Sequence, residues 1–157
     1  MYKIVNKKVL NPTVMLMDIE APFVAKKAQP GQFIILRVDE ERGERIPLTI
    51  SGYDREKGTV RIIFQIVGST TKALSMKNEG EYISDFCGPL GEATKTDGLK
   101  KVLIVGGGVG CAIALPVAQK LHEDGAEVVS VIGFRNKDLL ILEDEFKAAC
   151  TDLIITT

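Results

Sequence analysis

The 157-residue sequence has few cysteines, almost no net charge and no long hydrophobic run, and each absence excludes a class of protein. Its three cysteines, Cys87, Cys111 and Cys150, are odd in number and widely spaced, so they provide neither a disulfide framework nor a zinc or iron–sulfur ligand set. The formal net charge of −1 gives no electrostatic reason to expect nucleic acid. No segment is apolar enough to cross a bilayer and none has the pattern of a signal peptide, which predicts a cytoplasmic protein without a membrane partner.

Residues 1–98 have the pattern of an all-β domain. Short apolar or alternating segments are separated by turn residues, such as Asn11-Pro12 and Gln29-Pro30-Gly31. The pattern predicts strands over 2–10, 13–19, 32–38, 46–51, 59–67 and 81–86, and one helix over 70–77. Strands this short, separated by turns, indicate a small antiparallel Greek-key β-barrel.

Residues 99–157 have a different period, in which strands alternate with helices. Strands are predicted over 101–105, 127–132 and 153–156, and helices over 109–122 and 142–149. The segment from Gly88-Pro89-Leu90-Gly91 to Gly98 is predicted to be the linker before this half, and Pro116 to kink or break the first helix. Three parallel strands are few for a doubly wound sheet, so we expect the first half of a Rossmann-like nucleotide-binding domain, lacking its C-terminal part.

A glycine-rich turn lies between the first predicted strand and helix of this second half. Glycines allow a sharp turn and leave no side chain over a bound phosphate, while the following helix offers free N–H groups to an anion. The turn therefore predicts a dinucleotide contact at Gly107, Gly108, Val109 and Gly110. It departs from the usual G-x-G-x-x-G fingerprint because Cys111 takes the third glycine position, and a tight turn without a ligand is the alternative.

Four short motifs, taken together and in this order, resemble those of the ferredoxin–NADP reductase superfamily. Arg45-Ile46-Pro47-Leu48-Thr49 is similar to its flavin motif, and Gly68-Ser69-Thr70-Thr71 to its G-x-x-T pyrophosphate element. Gly88-Pro89-Leu90-Gly91 and residues 106–110 are similar to its two glycine elements on the pyridine-nucleotide side. The resemblance covers essentially the whole chain. It is strongest to electron-transfer subunits of dihydroorotate dehydrogenase and to small subunits of NADH-dependent reduced ferredoxin:NADP oxidoreductases.

The resemblance implies FAD on the barrel and NAD(P) on the second half, with NAD favoured over NADP. The implied FAD contacts are Arg45 at a phosphate, Pro47 and Leu48 against the ring, Thr49 at the reacting flavin edge, Ile63, Phe64 and Gln65 beside the ribityl and adenine portions, and Gly68, Thr70 and Thr71 at the pyrophosphate. Arg135, which follows the second parallel strand, is implied to lie at the nucleotide ribose. From the residues alone, Arg45 is equally a surface arginine paired with a glutamate, and Ile63 and Phe64 are equally barrel core.

The implied function is that of a flavoprotein oxidoreductase subunit, which passes a hydride between NAD(P)H and FAD and then single electrons to or from an iron–sulfur partner. The implied partners are a catalytic or electron-bifurcating subunit and ferredoxin or another iron–sulfur carrier. The subunits it resembles carry a [2Fe-2S] cluster on four cysteines of a C-terminal segment, and these 157 residues contain no such set, so no metal ligand is predicted. A free-standing NAD(P)H:flavin reductase and a non-catalytic nucleotide-binding docking subunit are the alternatives. We expect this length of chain to transfer hydride poorly by itself.

Overall fold

The computed structural model describes residues 1–41 and 43–157. These residues form two compact units, Met1–Ala93 and Thr94–Thr157. The sheet of the first unit is antiparallel and that of the second is parallel. None of the helices in the described part of the chain has the length and apolar character that a membrane span requires.

The first unit is a seven-stranded antiparallel sheet in the order β6-β1-β2-β5-β4-β3-β7. Its elements are β1 (Tyr2–Asn11), β2 (Val14–Glu20), α1 (Pro22–Lys27), β3 (Phe33–Arg37), β4 (Arg45–Asp54), β5 (Thr59–Gln65), α2 (Ser69–Met76), β6 (Tyr82–Ile83) and β7 (Asp85–Leu90). Strands β3, β4 and β5 form a meander, and β2 lies beside β5, which is the Greek-key arrangement. The two edge strands, β6 and β7, are separated by one residue of sequence, so the sheet curls into a nearly closed barrel.

The barrel core follows from the two-residue period of its strands. On β5, Val60, Ile62 and Phe64 point inward and are at most 2% exposed. Residues of the other strands on the same inner side, among them Ile34 and Ile50, join them in one hydrophobic cluster. The antiparallel barrel that the alternating segments predicted is confirmed by this core.

The second unit is a three-stranded parallel sheet in the order β10-β9-β8. Its elements are β8 (Lys101–Gly107), α3 (Cys111–Glu123), β9 (Glu127–Gly133), α4 (Glu143–Ala149) and β10 (Asp152–Thr156), with short 3-10 turns at Gly108–Gly110 and Lys137–Leu139. On one face Val128 and Ile132 are fully buried. On the other face Leu103, Val105 and Ile154 are 62%, 69% and 52% exposed. The parallel sheet with alternating helices that the second half of the sequence predicts is confirmed.

The structure bears on two predictions about the backbone, one at Gly88-Pro89-Leu90 and one at Pro116. Gly88-Pro89-Leu90 is not linker, because Asp85–Leu90 forms strand β7 on the free side of β3 and buries Phe86 in the barrel. Of the kink or break predicted at Pro116, the break is excluded, because α3 runs through that residue. The ring of Pro116 is buried, and its apolar packing offsets the loss of one backbone hydrogen bond. Helix α1 was not predicted.

Asp18 on β2 is held by side chains from both neighbouring strands. Arg61 donates from Nε to Oδ1 at 2.8 Å and from Nη2 to Oδ2 at 3.0 Å. Asn6 donates from Nδ2 to Oδ2 at 2.9 Å. Partial burial acts to raise the pKa of Asp18, but the hydrogen bonds from Arg61 and Asn6 and the charge of Arg61 outweigh it, and the pKa is lowered.

This lowered pKa makes stability depend on pH. A carboxyl group whose pKa falls on folding stabilises the fold above its unfolded pKa, and that stabilisation is lost as pH falls through the folded pKa. We expect Asp18→Asn to lower the free energy of unfolding at neutral pH by about 1.5–3 kcal/mol, the usual contribution of hydrogen bonds to charged groups. The loss should shrink in acid, below about pH 4. Urea titrations at neutral and acid pH measure both, with the exposed Glu20→Gln as control; an equal loss at the two pH values would contradict the prediction.

Candidate functional site

The motif at residues 45–49, which resembles a flavin-binding motif, lies on β4. Its alternate residues point to opposite sides of the sheet. Ile50 is buried in the barrel, and Leu48 packs against the same core from its partly buried position. Arg45, Pro47 and Thr49 therefore lie on the outer face. Arg45, Pro47 and Thr49 thus share a surface that a ligand can reach. Leu48 can contact such a ligand only through its backbone.

Arg45 belongs to a charged row that crosses three strands. On β3, Arg37 pairs in register with Arg45 of β4 and with Asp85 of β7. One carboxylate oxygen, Oδ2 of Asp85, lies 2.8 Å from Nε of Arg37 and 3.1 Å from Nη2 of Arg45. The partner of Arg45 is therefore an aspartate of another strand rather than a neighbouring glutamate. Two guanidinium groups around one carboxylate leave an excess positive charge, which suits an anion.

An apolar strip adjoins this charged row on the same outer face. Pro47 pairs with Ile35 of β3, and Thr49 pairs with Phe33 one step further along. Thr49 lies four residues from Arg45, which is about 13 Å along a strand. The face therefore presents a cationic row, then an apolar strip, then a hydroxyl group. Such a surface suits an elongated ligand with an anionic group at one end and a flat, hydrogen-bonding ring at the other.

Strand β5, which lies beside β4, contains the next predicted site residues, Ile63, Phe64 and Gln65. Ile62 pairs with Ile50 inside the barrel, so the following residue, Ile63, lies on the outer side with Thr49, where it is only 6% exposed. The side chain of Phe64 is barrel core, and that of Gln65 is exposed. Since β4 and β5 are antiparallel, the end of β5 lies beside the beginning of β4. Arg45 and the helix that follows β5 are consequently at the same end of this strand pair.

That helix, α2, begins with a turn fixed by Thr71. The hydroxyl group of Thr71 accepts hydrogen bonds from the backbone N–H of Val67 at 3.0 Å and of Gly68 at 3.1 Å, and donates to the carbonyl of Gly68 at 3.1 Å. Its hydrogen-bonding capacity is therefore filled within the protein. Thr71 holds the turn in shape, and the predicted anion contact is left to the backbone N–H groups of Ser69, Thr70 and Thr71 in the first helical turn.

The space in front of this turn is open. A Cβ atom added to Gly68 meets nothing within 4 Å. Thr70 is half-buried and its side chain lies in the same turn. The first turn of α2 thus offers N–H groups and an unobstructed approach, which are the two features that a phosphate site at a helix start requires.

The second unit aligns the carboxyl ends of its three strands. Gly133 at the end of β9 pairs with Gly107 of β8 and with Thr156 of β10. The backbone N–H of Phe134 donates to the carbonyl of Thr156 at 2.9 Å, so the chain leaves β9 along this edge. Arg135, the next residue, is exposed there. The glycine-rich turn and Arg135 therefore lie at the same edge of the sheet, where open α/β sheets bind ligands.

The glycine-rich turn itself leaves room above the edge. Cβ atoms added to Gly107, Gly108 or Gly110 meet nothing within 4 Å, and Gly108 has a φ of +54°. Val109, between the last two, is half-buried. These residues expose backbone in front of the first turn of α3, so the predicted dinucleotide contacts have both the space and the donors for a phosphate.

Cys111, the first residue of α3, packs against the strand that precedes the turn. A Cβ atom added to Gly106 lies 3.1 Å from Sγ of Cys111, which shows how closely helix and strand approach. Burial raises the pKa of the Cys111 thiol to about 11, so the thiol is protonated at neutral pH. Cys111 therefore replaces the third glycine of the usual fingerprint as a packing residue.

Sequence reasoning missed three residues of the first unit. Arg37 and Asp85 surround Arg45 only through cross-strand pairing, for which the local sequence has no signal. Ser51 is 3% exposed, and its hydroxyl group has no hydrogen-bond partner within residues 1–41 and 43–157. The described residues contain no group of three or more His, Cys, Asp and Glu side chains that could hold a metal ion.

No family model matches the chain, but several curated proteins do. A protein of Clostridium beijerinckii called "Uncharacterized protein in adh 3'region" is 52% identical over 100% of this chain and 55% of its own length. The "Dihydroorotate dehydrogenase B (NAD(+)), electron transfer subunit homolog" of Thermotoga maritima is 44% identical over 98% of this chain and 54% of its own length. The chain thus spans about half the length of the curated relatives that it matches.

Solved structures match both units. The structure of the NADH-dependent reduced ferredoxin-NADP oxidoreductase has a TM-score of 0.93 and 41% sequence identity, over 99% of this chain and 56% of that chain. Phthalate dioxygenase reductase, at 18% identity and a TM-score of 0.83 over 98% of this chain and 50% of that chain, shows the fold alone. The predicted resemblance is confirmed: the chain has the ferredoxin–NADP reductase fold and is homologous, over nearly all its residues, to the electron-transfer subunits of dihydroorotate dehydrogenase.

Proposed function

We propose that these residues are the FAD-binding part and the first half of the NAD(P)-binding part of a flavoprotein electron-transfer subunit. Residues 1–98 are the proposed FAD domain, and residues 99–157 the proposed nucleotide domain. The observation that carries the proposal is the outer face of β4, where Arg45, Pro47 and Thr49 lie in a line at the end of the sheet where α2 begins. The subunit would pass a hydride between NAD(P)H and FAD, and single electrons to or from an iron–sulfur partner.

The residues present fit FAD. Arg45 engages Asp85 through Nη2, and its other N–H groups remain for a phosphate oxygen. The pyrophosphate has N–H donors at the start of α2 and open space at Gly68. Pro47 offers apolar contact to a ring, and Thr49 offers a hydroxyl group to the ring edge. When bound, the flavin exchanges two electrons with a nicotinamide and one with an iron–sulfur centre, and this chemistry is the cofactor's own.

We assign the nucleotide to the carboxyl edge of the second sheet. Gly107, Gly108, Val109 and Gly110 would receive its pyrophosphate, and Arg135 would contact the ribose or stack on the adenine. NAD is the proposed form, since the Thermotoga relative is named for NAD(+) and the matching structure is described as NADH-dependent. The choice between NAD and NADP is measured by comparing the affinities of the two reduced nucleotides.

The proposed partner is a second subunit that carries the substrate chemistry. The relatives are named as electron-transfer subunits of dihydroorotate dehydrogenase, and the matching structure is described in terms of flavin-based electron bifurcation. We propose an electron route through an iron–sulfur carrier, ferredoxin among them. A [2Fe-2S] cluster would require cysteines other than Cys87, Cys111 and Cys150, which are separate and unpaired in the described structure.

Reconstitution with FAD tests the proposal. The chain should bind FAD and show flavin absorption after gel filtration, and Arg45→Ala should weaken FAD about tenfold, the usual effect of losing a charged hydrogen bond. Arg135→Ala, at the other site, serves as the control and should leave FAD binding unchanged. Absence of bound flavin in the unmodified chain would reject the proposed function, and equal affinities of the Arg45→Ala variant and the unmodified chain would remove this residue from the site.

A further inference from the structure

The charged row beside the proposed phosphate site has an unusual composition. Arg37, Arg45 and Asp85 lie side by side on three strands, and both guanidinium groups are within ion-pair distance of a single carboxylate oxygen. Arg45 is the outermost member, with 61% of its side chain exposed. A long side chain this exposed is ordinarily free to adopt many rotamers, and fixing it has an entropic cost.

Asp85 removes part of that cost before a ligand arrives. Its hydrogen bond to Nη2 of Arg45, at 3.1 Å, fixes one corner of the guanidinium group and leaves the remaining N–H groups unused by this contact. A carboxylate beside a phosphate site would normally repel the phosphate. Here Arg37, which lies 2.8 Å from the same oxygen, neutralises it. The row of Arg37, Arg45 and Asp85 therefore has a net charge of one arginine, and the guanidinium group of Arg45 is held in position.

We propose that Asp85 is a positioning residue for Arg45, and that Arg37 provides the charge that lets Asp85 do so without repelling phosphate. The pair thereby sets the preference of the site for phosphorylated flavins over riboflavin. This inference rests on the proposed FAD site and adds a determinant of its selectivity. A merely structural role for Asp85, as an ion pair that stabilises the barrel, predicts the same effect on every flavin.

The test compares FAD with riboflavin, which lacks phosphate, in the full 157-residue chain. Asp85→Asn should weaken FAD binding threefold to tenfold and leave riboflavin binding unchanged. Arg37→Gln should weaken FAD binding to a similar degree, and the deficit should shrink at high salt, because it arises from uncompensated charge. Asp18→Asn is the matched control, since it breaks another aspartate–arginine pair of the same barrel and should not change the FAD to riboflavin ratio.

A double-mutant cycle gives a second readout that does not depend on riboflavin. If Asp85 acts through Arg45, then Asp85→Asn should have no effect on FAD affinity in an Arg45→Gln background. Equal losses for FAD and riboflavin, an unchanged or tighter FAD affinity in Asp85→Asn, or an undiminished effect in the Arg45→Gln background would each overturn the inference. Failure of the unmodified chain to bind FAD would overturn the proposed function, and this inference with it.

Discussion

Replacing Gly108 by valine should abolish measurable binding of NAD(H), with a loss of affinity of at least about a hundredfold from steric exclusion of the phosphate. Gly108 has a φ of +54°, and no atom lies within 4 Å of an added Cβ. A valine side chain therefore does not clash with the protein, but it occupies the open space in front of α3 that the pyrophosphate needs. Titration with NADH, followed by nucleotide fluorescence or calorimetry, measures the effect.

The chain offers a matched control for the backbone strain of this change. Gly125, just after the end of α3, also has a left-handed φ, +87°, and open space around an added Cβ. Gly108→Val and Gly125→Val should each lose about 1–2 kcal/mol of stability from the unfavourable φ. Only the first should lose the nucleotide. Normal NADH binding by a folded Gly108→Val variant would exclude the glycine-rich turn from the site.

The glycine-rich turn and the charged row around Arg45 differ in how far the sequence predicts them, and the reason is physical. The glycine-rich turn is local: strand, turn and helix are contiguous, so residues 106–110 predict both their conformation and their ligand. The barrel strands are also visible locally, because alternation of apolar residues reports which face is buried. Those features account for the fold class, for the placement of Pro47 and Thr49 on one strand directly after Arg45, and for the helix that begins near Gly68.

What the sequence could not give is the pairing between distant strands. Asp85 and Arg37 surround Arg45 because β3 lies between β4 and β7, a neighbourhood fixed by the whole barrel. The same reason explains why the turn-forming residues of Gly88-Pro89-Leu90 predict a linker, although the pairing with β3 makes them part of a strand. The hydrogen-bond partners of the Thr71 hydroxyl group could not be predicted either. The motif indicates a threonine at the start of a helix, but not which groups its oxygen binds.

Replacing Phe64 by alanine should produce the largest loss of stability among these variants, about 3–5 kcal/mol, because it removes a buried aromatic ring and leaves a cavity. Phe64 is 2% exposed and belongs to the barrel core, although its neighbours on β5 border the proposed flavin site. Urea unfolding measures the loss. Gln65→Ala, on the exposed residue next to it, should leave the free energy of unfolding within about 0.5 kcal/mol of the unmodified chain.

The comparison of these two residues also decides which side of β5 faces the flavin. If Phe64 acts only as core, then Phe64→Leu, which should cost about 1–2 kcal/mol and still fold, binds FAD with unchanged affinity. Gln65 lies on the other side of the strand and is the residue available to the ligand, so Gln65→Ala should weaken FAD while leaving stability intact. The opposite result, in which the leucine variant loses FAD and the Gln65 variant does not, would place the flavin against the inner side of β5. A barrel filled by Phe64 and Ile62 has no room for a flavin there.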